Sequence, residues 1–453
     1  MLCAPDEVRT VGFDRVFHTT AAFASPEQLE DFRRRLDPDW IEAALSTSDA
    51  ATVRRRRLPS EHVVWVVLGM GLFRDRPIED VVSKLELALP GRSPTVARSS
   101  ISQARERVGP EPMKWLFERC AAAWSGPSAD AHRWRGLRLY GIDGSTVRVP
   151  DTPENREAFG GQRGRDGSVS GYPIVRIAVL MVLRSHLLAA ASFGRYEGTY
   201  ELEFAKPLCT SIPDDSLTVV DKGYFGAPLL LGIERGSNRH WLIRARGNVN
   251  YSVVERFAAG DELVEMGVSR DARRQDPSLP RTWLARRIRY RIPGFRAQWV
   301  LTSLRDAKRF PRDEVVSLYH ERWELELGYD EIKTELLERE ESIRSKKSDG
   351  VRQELWGILL VYNLVRLEMQ SIAREARVEP TRISFVEALR LMRDEWSWLS
   401  VTSPGAIPKR LAAMRRSIKR YLLPPRRRRR YPRAVKIKMS NYDRKRPVIE
   451  RAK

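Results

Sequence analysis

Between Tyr319 and Lys333 the chain reads YHERWELELGYDEIK, placing a phenol, a guanidinium, a carboxylate and an ammonium at Tyr319, Arg322, Glu326 and Lys333. On a helix advancing about 100° per residue these four side chains fall within about 60° of arc. A carboxylate flanked by cations suits a site that holds a metal ion and, beside it, the phosphates of a polyanion. The plainer alternative is an exposed helix laced with i,i+3 and i,i+4 ion pairs, each contributing little. Asp330 lies about 20° from Tyr319 on the same wheel. Periodicity alone therefore does not choose between Glu326 and Asp330.

Two upstream segments repeat one design. In GLRLYGIDGSTVRVPD the apolar run Leu137, Leu139, Tyr140 and Ile142 reads as a buried strand that ends in Asp143 and is broken by Gly144. In SLTVVDKGYFGAPLL the run Leu217 to Val220 ends in Asp221 and then a glycine. An acid at the end of a buried strand can reach a cleft at the sheet edge. Taken singly, each aspartate reads equally as a turn former or helix cap.

The order tyrosine, two residues, arginine, three residues, glutamate, six residues, lysine resembles the signature of the insertion-sequence-4 family of bacterial DDE transposases and is met without a gap. DKGYF resembles the family's second-aspartate neighbourhood. The resemblance implies an α/β fold with an RNase H-like catalytic core, in which Asp143, Asp221 and Glu326 form the acid triad and bind two Mg²⁺ ions, with Mn²⁺ able to substitute. It selects Glu326 over Asp330, and assigns Tyr319, Arg322 and Lys333 to DNA phosphates near the cleavage point. It further implies double-stranded DNA as partner, both element ends and target, and a homodimer on the DNA ends. The activity implied is cleavage at the ends of an insertion sequence followed by joining of the 3′-hydroxyl to target DNA. A nuclease of the same fold that joins nothing, and a domesticated DNA-binding protein without chemistry, are the alternatives.

The elements that must position these residues divide the chain in three. Residues 1–130 read as a helical, DNA-binding domain: Val63 to Phe73 as a buried helix, Ile78 to Leu89 with helical apolar spacing, a break at PGRSP, then a polar and basic helix ending near Gly109. A helix pair of this kind fits a helix-turn-helix, and the region resembles the N-terminal domain of the same family. Residues 131–345 read as the catalytic core. Ile174 to Leu183 and Leu187 to Phe193 are strands, a helical patch spans Glu201 to Leu208, and a strand leads into Asp221.

Between Asp221 and Glu326 lie 104 residues. Trp241 to Ala245, Ser252 to Phe257, Thr282 to Tyr290 and Gln298 to Leu304 alternate like strands around a turn-rich RDARRQDPSLPR, giving a β-rich insertion at about 238–305. Trp241, Trp283 and Trp299 fall inside it and read first as core residues. In hairpin-forming members of the resembled family an insertion tryptophan stacks on an extruded base, and Trp299, nearest the Tyr319 segment, is the candidate. GGQRGRDGSVSG, residues 160–171, lacks the Gly-Lys-Ser or Gly-Lys-Thr of a phosphate loop and reads as a hairpin or loop, so no nucleotide cofactor is expected. Residues 346–453 form a C-terminal helical region, with an apolar helix at 351–369, and a basic tail.

The 453 residues carry a net charge of +21. From Lys409 onward 19 Lys/Arg face two acids, so the tail holds +17 and residues 1–408 only +4. Arg426, Arg427, Arg428, Arg429 and Arg430, with Tyr431 and Tyr442 nearby, suit nucleic acid rather than a membrane, since no amphipathic apolar face accompanies them. Three scattered cysteines argue against a disulfide scaffold or zinc site. No apolar stretch reaches the roughly 20 residues of a membrane span, and Asp6, Glu7 and Arg9 interrupt any signal peptide. A bacterial, cytoplasmic, nucleoid-associated protein is expected.

Overall fold

The computed structural model describes residues 36–48, 58–84, 96–163, 169–247, 249–292, 296–338, 343–399, 406–425, 435–436 and 443–444. The chain folds into a mixed α/β arrangement around one nine-stranded sheet. Its strands are β1 (Arg138–Arg148), β4 (Ile174–Val182), β5 (Leu188–Arg195), β6 (Ser216–Val220), β7 (Arg239–Arg244), β8 (Tyr251–Ala258), β9 (Asp261–Gly267), β10 (Thr282–Tyr290) and β11 (Gln298–Thr302). The two-residue strands β2 (Gln162–Arg163) and β3 (Val169–Ser170) pair as a hairpin in the glycine-rich segment. Across the sheet the order is β5-β4-β1-β6-β7-β11-β10-β9-β8, with β1, β6 and β7 parallel and the other pairs antiparallel.

Leu217, Val219, Val220 and every other residue of β6 are buried, as a central strand covered on both faces requires. The insertion strands do not stand apart: β7 pairs with β6, and β11, β10, β9 and β8 continue the same sheet. Strand β9 has no counterpart among the predicted strands. RDARRQDPSLPR contains a short helix, Arg270–Gln275, capped by Ser269 accepting from the Ala272 N–H at 3.2 Å, so that segment is not turn alone.

Two helical regions far apart in sequence pack as one layer. The helix Ser60–Leu72 is buried along nearly its whole length, as its apolar composition demands, and lies against the long helix Ser348–Ala376. At Gly357 a Cβ would stand 2.5 Å from Val67 Cγ1 and 3.3 Å from the Val67 carbonyl, so only glycine permits this approach. A buried polar cluster fastens the contact: Arg74 donates to Glu354 at 2.7 Å, Ser345 donates to Glu354 at 2.6 Å, and Arg105 donates to Gln353 at 2.9 Å and Ser345 at 2.9 Å.

Arg105 belongs to the predicted basic helix, observed as Arg98–Val108 with Gly109 following at φ 69°. Its guanidinium therefore points into the protein, and that helix is less basic on its outer face than the sequence suggests. The helix Ile78–Lys84 begins where predicted, while 85–95 and the break PGRSP lie outside the described residues. Arg426 to Arg430 lie outside them too.

Candidate functional site

Strands β1 and β6 bring the two aspartates together. They run parallel and in register through Ile142 and Val220, so the next residues, Asp143 and Asp221, emerge side by side from strands about 4.8 Å apart. Asp221 caps the turn that follows, its Oδ2 accepting from the Gly223 N–H at 3.1 Å. Asp143 Oδ1 accepts from the Gly144 N–H at 2.8 Å. Burial pushes the Asp143 carboxyl up to about 6; the Gly144 bond and Arg322 pull it down, while Asp221 and Glu201 add to the rise.

Gly144 does not break β1, which continues to Arg148 with Gly144 opposite Ala178. The antiparallel partner β4 sustains the strand where the sequence suggests a turn. The glycine is required for a different reason: a Cβ there would stand 2.5 Å from Tyr224 Oη and 3.3 Å from Glu201 Cδ.

The Tyr319 to Lys333 segment is not one helix. Tyr319 closes the helix Arg312–His320, Glu321 and Arg322 form a turn, the helix Trp323–Asp330 carries Glu326, and Lys333 sits in a π-helical turn, Glu331–Leu336. The single-face arrangement drawn on one wheel is thus corrected, most of all for Tyr319. Its ring is buried with centroids 6.5 Å from Tyr290 and 6.1 Å from His320, and burial pushes its hydroxyl up to about 12 against the pull of Arg322.

Arg322 links the acids. Its Nη2 donates to Glu326 Oε1 at 2.7 Å and its Nη1 lies 3.6 Å from Asp221 Oδ1. Lys333 Nζ donates to Ser145 Oγ at 3.2 Å, two residues beyond Asp143. Asp330 accepts from Thr334 Oγ1 at 2.6 Å and does not pair with Lys333. Tyr329 Oη donates to the main-chain carbonyl of Asp143 at 2.8 Å, tying the Glu326 helix to the Asp143 strand.

A buried network holds that helix from behind. His186 lies between Glu324 (Nε2 to Oε2, 2.8 Å) and Glu331 (Nδ1 to Oε2, 3.2 Å), Tyr362 donates to Glu331 at 2.8 Å, and Arg366 donates to Glu331. Burial would raise the Glu331 carboxyl, yet Arg366 and His186 outweigh it and hold the group down at about 2. Neither this network nor Tyr224, Tyr329 and Glu201 was found from sequence. The available signal was the seven-residue spacing of Glu324 and Glu331, which marks one helix face but not its distant partners.

Trp241 and Trp283 are core residues, buried with ring centroids 5.4 Å apart. Trp299 is half-buried, and the Arg287 guanidinium lies 3.6 Å from its ring centroid and 3.8 Å from that of Tyr251.

Among the described residues no three His, Cys, Asp or Glu side chains form a ready-made metal cage. The donor set nevertheless fits a hard divalent ion: Asp143 and Asp221 offer adjacent carboxylates, and Glu326 is held nearby by a cation that already spans it and Asp221. No described helix is long and apolar enough to cross a membrane.

Known proteins resemble the chain in sequence. Residues 26–118 match the insertion element 4 transposase N-terminal family, and residues 134–364 match the transposase DDE domain. The transposase InsG for insertion sequence element IS4 of Escherichia coli strain K12 is 40% identical over 412 residues, covering 90% of this chain and 92% of its own length. InsZ of the same strain is 38% identical over 233 residues, 51% of this chain and 76% of InsZ. A cryo-EM structure of a piggyBac transposase synaptic complex with hairpin DNA aligns over 92% of this chain and 86% of that one at 12% identity, with a TM-score of 0.39, too low to bear on the site.

Proposed function

Since the chain belongs to the insertion-sequence-4 family of DDE transposases and is a DNA transposase, we propose that Asp143, Asp221 and Glu326 are its divalent-metal ligands and that Arg322 and Lys333 position DNA phosphates beside them. The observation that carries this reading is the in-register emergence of Asp143 and Asp221 from parallel strands, with Arg322 reaching from Glu326 to Asp221. The strand order β5-β4-β1-β6-β7, with a helical segment between β5 and β6, supports an RNase H-like core over residues 131–345, flanked by an N-terminal DNA-binding region and a C-terminal helical region.

When bound, Mg²⁺ or Mn²⁺, two ions per site, supplies Lewis-acid stabilisation of phosphoryl oxygens and acidifies a water. The chain's own residues do the rest. Arg322 offers a planar fork to a phosphate and Lys333 a point charge, so the scissile phosphate is held between the acids and two cations. Tyr319, buried against Tyr290 and His320, would support this segment by packing rather than by exposing its phenol. The reaction is nicking at the element's end and attack of the freed 3′-hydroxyl on target DNA. Trp299 would stack on an extruded base once Arg287 leaves its face, at about 1–3 kcal/mol per base. Arg426 to Arg430 would add nonspecific duplex affinity, and two copies would act together on paired ends. A nuclease that joins nothing and a DNA-binding protein without chemistry are not favoured by the family.

Purified protein incubated with its own element ends, a target duplex and Mg²⁺ tests the proposal. Wild type should yield 3′-end nicks and joined products, whereas Asp143→Ala, Asp221→Ala and Glu326→Ala should yield neither. Joining by any of the three would remove that residue from the set.

A further inference from the structure

Tyr224 sits on the turn after Asp221, is 2% exposed, and its hydroxyl has no hydrogen-bond partner among the described residues. Leaving a buried donor unsatisfied costs about 1–3 kcal/mol, so such a group needs an explanation. The hydroxyl is aimed at the open side of Gly144, 2.5 Å from where a Cβ would be, and the Glu201 carboxyl carbon lies 3.3 Å from the same point. Phenol and carboxylate therefore converge over the residue next to Asp143.

Glu201 opens the short helix Glu201–Ala205 between β5 and β6. Its side chain is 45% exposed, and its ion pair with Arg176, at 3.5 Å, is long. With its carboxylate half in solvent, Glu201 gains little from a contact that long, although Arg176 itself is largely buried. Glycine at 144 leaves the gap that both groups face.

We propose that Glu201 is a fourth carboxylate of the acid site, holding a divalent ion together with Asp143, and that the Tyr224 hydroxyl donates to the oxygens gathered there. The inference rests on the reading of Asp143 as a metal ligand. Tyr224 is a positioning residue in this scheme: it orients oxygens and exchanges no proton.

The test is Mn²⁺ binding to the full-length protein without DNA, followed by electron paramagnetic resonance and calorimetry, with thermal midpoints recorded in metal-free buffer. Glu201→Gln should weaken Mn²⁺ binding at least about tenfold, and Tyr224→Phe by about tenfold, the range for groups that orient metal ligands. Tyr224→Phe should leave the metal-free midpoint unchanged or raise it, because it removes an unsatisfied donor while keeping the ring. Glu201→Asp, which keeps the charge, should recover part of the affinity. Wild-type Mn²⁺ affinity in Glu201→Gln, with Asp143→Asn defective, overturns the fourth carboxylate and leaves the triad standing. A lowered metal-free midpoint with unchanged affinity would make Glu201 only the partner of Arg176. Undiminished binding in Asp143→Asn and Asp221→Asn as well would remove the metal site itself. If Glu201→Gln does not fold, Tyr224→Phe decides alone: unchanged affinity in that variant overturns the proposal.

Discussion

Glu326 and Asp330 are one helical turn apart, yet their partners differ. Glu326 is bridged through Arg322 to Asp221, while Asp330 is occupied by the hydroxyl of Thr334. Asp330→Ala should therefore keep most cleavage activity, whereas Asp143→Ala, Asp221→Ala and Glu326→Ala should each lose several kcal/mol of transition-state stabilisation, about a thousandfold in rate. Gel-shift titration should show end-DNA binding largely intact in all four. A dead Asp330→Ala beside an active Glu326→Ala would exchange their roles. Because an ammonium cannot reproduce the two-pronged contact of Arg322 with Glu326 and Asp221, Arg322→Lys should stay impaired in single-turnover cleavage; full activity would reduce Arg322 to a surface ion pair.

At the scale of elements, the Glu326 helix is placed by contacts from behind. Removing one partner from a buried ion pair costs about 3–5 kcal/mol, so Arg366→Met should shift urea unfolding by that amount although residue 366 touches no acid of the triad. The same network gives an acid limb. Glu331 titrates below the ordinary carboxylate range when folded, so its contribution is complete above that range and is lost as the pH falls toward about 2. Glu331→Gln should flatten stability against pH across that window, as read from thermal midpoints. Sequence reached the strand that carries Asp143 and the one that leads into Asp221, because a run of apolar residues followed by an acid is local information. It also gave the short-range spacing of Arg322 and Glu326. It could not reach the break at Glu321 and Arg322, or the continuation of β1 past Gly144, since both are imposed by neighbouring elements. His186 and Arg366 lie 180 residues apart and meet only in three dimensions.

For the whole molecule, charge is concentrated in a tail whose cations should displace counterions from duplex DNA, with a salt slope of about −0.9 per phosphate contacted. Deleting residues 424–453 should flatten log affinity against log salt on random and element-end duplexes alike, while preference for the ends persists. An unchanged slope would assign the tail to protein contacts. The core should survive the deletion, because its apolar residues lie upstream. Membership of the catalytic family was legible from one spacing, but the joining of the N-terminal and C-terminal helices into one layer was not: Gly357 looks like any helical glycine until Val67 is found against it. That contact also sets an order of events during synthesis. The helix Ser60–Leu72 leaves the ribosome with its apolar sides uncovered, and the helix that covers it begins about 280 residues later. At about 5–20 residues per second, the nascent chain spends roughly a quarter of a minute to a minute without that partner. A message truncated before residue 348 therefore yields a chain whose Ser60–Leu72 helix meets the helices Pro38–Thr47, Ile78–Lys84 and Arg98–Val108 but lacks its most extensive partner, and such fragments should be captured by chaperones or degraded rather than compete with the finished protein for DNA.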